Sequence, residues 1–248
     1  MPFPYVFEGG NAGSIPTERM KGGHAMNRQT GHTILEIVIV LFVASILILG
    51  AISGNYMISM STAKKLVAEM REVQEMLYVY RTRYRAIPGD DEFASVHIAG
   101  ATDTWSPRNK GSSIYEGGNA LIDGNGNWTS QNDPADYESA MFWHHVRLAG
   151  LAEGDPNFHG SFNAIGGHLG VTSGTRIPTR PAGVRGLFNV CSSRISGDVA
   201  RLMDAEADDG NATTGMMWGA PEPDHKTVVI TATAPQRYLD ERRYTVCM

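Results

Sequence analysis

Three side chains in this sequence have the spacing of a calcium-binding loop. Asp123, Asn125 and Asn127 occupy its first three ligand positions, which need carboxylate or amide oxygens. Trp128 stands where the loop needs glycine, and Pro134 stands where it needs a bidentate glutamate, so the stretch is not an EF-hand. Because Asn-Gly and Asp-Gly pairs form ordinary turns, we expect turns here, with calcium at these three residues as the alternative.

Few other patterns indicate a reactive site. Asp208 and Asp209 offer a second place for calcium, and His144 and His145 are the only adjacent histidines. Neighbouring side chains on a helix point about 100° apart, so these two imidazoles do not readily share one metal ion. H-E-x-x-H, G-x-S-x-G and P-loop motifs are absent from the sequence. We therefore expect no catalytic site and no cofactor other than calcium.

A loosely basic stretch is the only feature that would suggest DNA. Its five arginines, with acids on either side, are Arg176, Arg180, Arg185, Arg194 and Arg201. Nucleic-acid binding needs a basic stripe, and the chain as a whole carries a net charge of −5. We expect a solvated surface and no nucleic-acid partner.

The averages describe a mildly acidic globular protein. The chain has 248 residues, of which 42% are hydrophobic and 19% charged. These values exclude collagen-like and low-complexity chains and are too polar for a polytopic membrane protein. Two cysteines are too few for a disulfide-dense scaffold or a four-cysteine zinc site. The apolar residues, however, are unevenly distributed.

Residues 34–52 form one apolar run, in which only Glu36, Ser45 and Gly50 are neither strongly apolar nor Ala. As a helix the run would be roughly 28 Å long, close to the ~30 Å core of a bilayer. Lys21 and Arg28 precede it, which predicts a single-pass helix with a cytoplasmic amino terminus. The rest of the chain would then lie on the outer side of that membrane.

Two simpler interpretations compete with that prediction. A secretory signal peptide has an apolar core of only ~7–15 residues and a small-residue cleavage site, and neither property fits this run. A plain anchor must explain Glu36, because a carboxylate within a spanning segment costs roughly 2.5 kcal/mol or more. The alternative for Glu36 is that its carboxylate reaches the lipid headgroups.

A helical pattern continues beyond the run. Apolar residues recur every three or four positions from Ala63 to Ile87, and Pro88 ends the pattern. Residues 32–54 are thus the apolar half of one long helix and residues 55–87 its amphipathic half. Residues 88–248 are rich in Gly and Pro, with helices predicted at 138–151 and 196–207 and strands at 186–191, 227–234 and 244–247. This order is typical of an α+β domain with an antiparallel sheet.

The junction GHTILE at residues 31–36, followed at once by the apolar run, resembles the prepilin cleavage site of type IV pilins and type II secretion pseudopilins. The resemblance implies that a prepilin peptidase cuts between Gly31 and His32 and methylates the new amine. It also implies that Glu36 is an assembly residue, which pairs with the terminal amine of a neighbouring subunit. The family usually has Phe or Met where this chain has His32, a departure that bears on methylation more than on cleavage. Residues 1–31 would be the leader. Translation from Met20 or Met26 would shorten it to twelve or six residues, with residues 1–25 a start-site artefact in the latter case.

Further stretches are similar to a subgroup of pilin-like proteins: YRAIPGD at 84–90, DGNGN at 123–127, WHHVRLAGL at 143–151 and the DDG turn at 208–210. The implied fold is α+β and pilin-like, with a long N-terminal helix whose first half spans the membrane and whose second half packs on a loop-rich domain with a small antiparallel sheet. The implied partners are a prepilin peptidase, other pilin or pseudopilin subunits in a homo- or heteropolymer, and an inner-membrane assembly platform. A pilus, a secretion pseudopilus and a DNA-uptake filament all stay open. The competing hypothesis is a membrane-anchored periplasmic enzyme or binding module.

Cys191 and Cys247 lie in the first and the last of the three predicted strands. In an oxidising compartment they could form a disulfide, as many pilins similarly tie down their C-terminal region. The bond would close a loop of 57 residues (191 to 247 inclusive), worth roughly 4 kcal/mol in the chain-entropy model. Two free, buried cysteines are the alternative.

Overall fold

The structure is a computed structural model that describes residues 33–104, 117–122, 128–129, 138–173, 177–224 and 227–248, without the side chains of 49–53. It contains two compact units, residues 1–48 and 49–248. The helices are α1 (Ile34–Tyr84), α2 (Ala94–His97), α3 (Glu138–Leu148) and α4 (Gly197–Ala207). The strands are β1 (Leu169–Thr172), β2 (Asn189–Ser196), β3 (Trp218–Pro221) and β4 (Arg243–Cys247).

The described part of the first unit is the beginning of α1. Nearly every large apolar side chain in residues 34–48 is exposed. The prediction that this half of the helix spans a membrane is wrong, since the described residues contain no helix long and apolar enough to cross one. The described apolar stretch has fifteen residues (34 to 48 inclusive), about 22 Å of helix, whereas a span needs ~20 residues. The single-pass placement in the inner membrane therefore has no support from the structure.

The later part of α1 belongs to the second unit and is amphipathic. The residues it buries recur every three or four positions: Ala63, Leu66, Val67, Met70, Val73, Leu77 and Tyr80. They join one core with α3, α4 and the sheet. Arg81 and Arg83 lie in the last turn, where positive charge favours the helix dipole. The helix ends at Tyr84 because Arg85 adopts a left-handed backbone with φ 57° and Pro88 follows.

The sheet has four antiparallel strands in the order β1-β2-β4-β3. The two central strands, β2 and β4, are interrupted by a bulge between Ser192 and Ile195. Arg194 lies in that bulge with φ 63°, and its backbone N–H donates to Glu222 Oε1 at 2.7 Å. A buried carboxylate therefore replaces the ladder hydrogen bond that the bulge removes.

The α+β class and the antiparallel sheet agree with the prediction from the sequence, but the strand positions agree with it only in part. Strand β4 lies where a strand was predicted. Strand β2 starts three residues after the start of the predicted segment 186–191 and runs to Ser196. The described residues of 227–234 form no strand, and β1 and β3 lie where none was predicted.

Candidate functional site

Glu36 lies in the first turn of α1 and is exposed. Thr33 directly precedes the helix, and its Oγ1 accepts a hydrogen bond from the Glu36 backbone N–H at 3.3 Å. Thr33 followed three residues later by Glu36 is the capping-box pattern, which places the carboxylate near the positive end of the helix dipole. The predicted cleavage residues, Gly31 and His32, lie outside the described residues.

The helical surface around Glu36 is apolar on every side. Consecutive residues of a helix point about 100° apart, so the unbroken apolar stretch 37–43 covers the whole circumference. Ser45 adds little polarity, because its hydroxyl donates to the Phe42 carbonyl at 2.7 Å. The large side chains that are 48% to 83% exposed are Ile34, Leu35, Ile37, Val38, Ile39, Val40, Leu41, Phe42, Val43, Ile46, Leu47 and Ile48. Such a patch marks an interaction site.

Residues 89 and 90, which follow α1, hold loops of the second unit in place. The Asp90 carboxylate accepts backbone N–H bonds from Gly118, Asn119 and Ala120 at 2.6 to 3.1 Å. Gly89 cannot be replaced easily, since its φ is 94° and a Cβ would lie 2.4 Å from the Glu138 carbonyl oxygen. The IPGD part of the pilin-like stretch is therefore structural in this chain.

Asp91, next to it, is buried and organises a small polar cluster. Its Oδ2 accepts hydrogen bonds from Tyr80 Oη at 2.8 Å and from His97 Nε2 at 2.6 Å, and its Oδ1 accepts the Phe93 N–H at 3.0 Å. The Tyr84 ring stacks on His97 with a centroid distance of 5.0 Å. The cluster connects the last turns of α1 to α2.

The adjacent histidines also hold loops together. His145 Nδ1 accepts the Gly89 N–H at 3.0 Å, so its Nε2–H donates to the Thr102 carbonyl at 2.8 Å. His144 Nε2 accepts the Thr102 N–H at 3.1 Å, so its Nδ1–H donates to the Pro156 carbonyl at 2.9 Å. Burial lowers the pKa of His145 to about 4. All four ring nitrogens have backbone partners, which leaves neither imidazole available to a metal ion.

The three carboxylates at the end of α4 come together. Asp204, Asp208 and Asp209 each have one oxygen within 4.8 Å of the others. Asp204 is fully buried, and its oxygens accept hydrogen bonds from Gly210 N and Tyr238 Oη at 2.8 and 2.9 Å. Burial raises the pKa of Asp204 to about 6.

The exposed pair beside Asp204 also has local partners. Asp209 accepts from Thr214 Oγ1, and Asp208 accepts from Met216 N. Oxygen donors of this kind suit calcium, although each is already hydrogen-bonded to the turn it closes. The other calcium candidates, Asp123, Asn125 and Asn127, lie outside the described residues.

The cysteine prediction is confirmed. Cys191 on β2 and Cys247 on β4 face each other across the sheet and form a disulfide. Both are fully buried, in a small cluster with Trp128, Ile177 and Trp218.

The predicted basic stretch does not form a stripe among the described residues. Arg180 donates to Asn189 Oδ1 and to the Gly186 carbonyl, and Arg201 pairs with Asp240. Arg194 donates to the Gly166 carbonyl at 3.1 Å. These three guanidinium groups thus contact different parts of the fold, Arg185 is exposed, and Arg176 lies outside the described residues.

No protein-family model, curated protein or solved structure matches this chain. Among the described residues, 34–48 is the longest stretch whose large apolar side chains are exposed.

Proposed function

We propose that this chain is a structural subunit, a pilin or pseudopilin, of a type IV pilus or a type II secretion-like filament. A prepilin peptidase would cleave it after Gly31, and copies would polymerise through the apolar helix that starts at Ile34. The role is one of assembly, with no catalytic step. The other partners would be sibling subunits and an inner-membrane assembly platform.

The observation that carries the proposal is the exposed apolar surface of residues 34–48. Burying a large apolar side chain completely contributes ~1.5–3 kcal/mol, so covering half of this surface contributes on the order of 10 kcal/mol. A helix that is apolar all round is stable only where it is buried. Neighbouring copies of the same helix would provide that environment along the axis of a filament.

Glu36 supplies the polar element of that contact. A carboxylate buried between apolar helices is costly unless a cation pairs with it. Cleavage after Gly31 would create an amine at His32, and the amine of a neighbouring subunit could be that cation. The junction would then select the register in which subunits meet.

The second unit has properties that suit a subunit exposed outside the cell. A disulfide joins its two central strands, and such bonds persist in oxidising compartments. Buried carboxylates fasten its loops through backbone N–H groups. Calcium at Asp123, Asn125 and Asn127, or around Asp208 and Asp209, stays a prediction.

The decisive experiment is mass spectrometry of the mature chain from cells with and without the prepilin peptidase. We expect a chain that begins at His32 only when the peptidase is present. A mature chain that begins at any other residue would overturn the proposal. It would favour the competing hypothesis, an enzyme or binding module carried on this helix, which needs no such cleavage.

A second test separates assembly from folding. Glu36→Ala should leave the folded second unit intact and lower the sedimentable filament fraction, whereas Val40→Leu, a neutral change on the same surface, should assemble normally. Normal incorporation of the Glu36→Ala chain would refute the assembly role of Glu36.

A further inference from the structure

An Asn-x-Thr triplet lies on an exposed turn between α4 and β3. The triplet consists of Asn211, Ala212 and Thr213, and the turn closes where the Thr214 N–H donates to the Asn211 carbonyl at 3.1 Å. Asn211 and Thr213 are exposed, whereas the small side chain of Ala212 is buried. Asn-x-Ser/Thr without proline in the middle is the acceptor pattern of N-glycosylation, which requires a surface position.

The side chain of Asn211 is held by its oxygen and leaves its nitrogen without a partner. Its Oδ1 accepts hydrogen bonds from Thr213 Oγ1 at 2.9 Å and from Thr213 N at 3.2 Å. Because a backbone N–H can only donate, the atom that it meets must be the amide oxygen. The Asn211 Nδ2 makes no hydrogen bond to any described residue. The atom that would receive a glycan is therefore accessible.

Asp209 holds the same turn from its beginning. Its carboxylate accepts hydrogen bonds from Asn211 N at 2.8 Å and from Thr214 Oγ1 at 2.6 Å. Gly210, between the two residues, has φ 80°, a left-handed conformation that glycine adopts without steric cost. The turn thus presents the Asn211 carboxamide in one defined conformation.

A second triplet in the sequence, Asn127-Trp128-Thr129, provides a comparison. To enter the site of an enzyme, a triplet must separate from the fold, which withdraws its middle side chain. Trp128 is 2% exposed and packs in the cluster around the disulfide, and an aromatic side chain of this kind buries ~150–250 Å². Ala212 would withdraw only a methyl group, so the triplet at 211–213 is much the easier one to modify.

We propose that Asn211 is an N-glycosylation site, whose donor is a glycan with a diphosphate leaving group at the anomeric carbon of its first sugar. Nδ2 attacks that carbon, and the new C–N bond replaces the C–O bond to the diphosphate. The diphosphate leaves with the electron pair of the broken bond, and a base of the transferase takes the Nδ2 proton. The inference rests on the proposed function only in requiring an exported second unit, in a compartment where its disulfide persists.

The test is mass spectrometry of the full-length chain, made in bacteria that carry a periplasmic oligosaccharyltransferase and its lipid-linked oligosaccharide. The strain is one in which a secreted reference protein with an exposed Asn-x-Thr triplet is glycosylated. We expect one glycan, on the peptide that contains Asn211. Asn211→Gln and Thr213→Val should abolish it, while Thr213→Ser, which keeps a hydroxyl, should retain it. The matched control, Asn127→Gln, should leave the glycan in place.

The same sample reports the amino terminus, so the site and the filament function are judged separately. An unmodified chain beside a modified reference protein, a glycan only on another residue, or a glycan that survives Asn211→Gln would overturn the site. A chain that begins at His32 without a glycan refutes the site and leaves the filament function standing. A chain with the glycan on Asn211 that begins at another residue refutes the filament function and supports the site. A chain with neither property overturns both.

Discussion

Acidification should destabilise the second unit through His145. Its neutral ring accepts the Gly89 N–H at Nδ1 and donates from Nε2 to the Thr102 carbonyl. A protonated ring would present a second N–H to Gly89 and place a charge in a fully buried site. Burial accordingly lowers the pKa of His145 from its ordinary 6.5 to about 4.

The size of the effect follows from proton linkage. Below pH 6.5 the unfolded chain binds a proton at His145 that the folded chain does not bind until about pH 4. Each pH unit in this window changes the free energy of unfolding by ~1.4 kcal/mol, so the whole window amounts to about 3 kcal/mol. The stability that comes from keeping His145 neutral is fully present above pH 6.5, decreases as the pH falls, and is gone near pH 4.

The assay is urea unfolding of the full chain in a mild detergent at pH 7 and pH 4, compared with His145→Gln. Glutamine keeps an amide donor and acceptor but does not titrate. The variant should be less stable at pH 7, and its stability should fall by about 3 kcal/mol less than that of the wild type between the two pH values. Parallel losses in the two proteins would refute the neutral, buried state of His145.

Three further perturbations have definite expected outcomes. Burial raises the pKa of Asp204 to about 6, so between pH 6 and pH 4 the folded chain binds a proton there that the unfolded chain does not. Acidification over this range therefore stabilises the wild type through Asp204. Asp204→Asn lacks this contribution and should lose more stability than the wild type when the same urea assay goes from pH 6 to pH 4. Gly89→Ala should cost about 3 kcal/mol in urea unfolding, from a left-handed backbone and a clash with the Glu138 carbonyl. Gly150→Ala, also at positive φ but with nothing within 4 Å of its Cβ, should cost only about 1 kcal/mol, and equal losses would show that the clash is absent. Replacing both Cys191 and Cys247 with Ala should lower the unfolding free energy by roughly 4 kcal/mol, and an unchanged midpoint would contradict a stabilising disulfide.

The elements that the sequence predicted well are those with a periodic pattern. The three- and four-residue spacing from Ala63 onward predicted the buried face of α1, and Pro88 predicted its end to within a few residues. Strands β1 and β3 escaped prediction because each has four residues and contains glycine, which gives no alternation to detect. The β-branched stretch 227–234 suggested a strand, but Val229 N instead donates to the Thr245 side chain.

Side-chain roles were harder to predict, because they depend on contacts distant in sequence. His145 contacts Gly89 and Thr102, which lie 56 and 43 positions away. The Asp90 carboxylate fastens backbone 28 to 30 positions away. The capping contact between Thr33 and Glu36, by contrast, is local and follows a T-x-x-E pattern, although no cap was predicted there.

The contrast within α1 argues for a polymer over a dimer. From Ala63 to Leu77 the apolar residues occupy one face, and a single packing surface covers them. In residues 34–48 they occupy every face and are exposed. A two-chain contact would cover only one side of such a helix and leave the remainder in water. Since the hydrophobic free energy grows with the area removed from water, association should continue until neighbours surround the helix, an environment that the core of the proposed filament would provide.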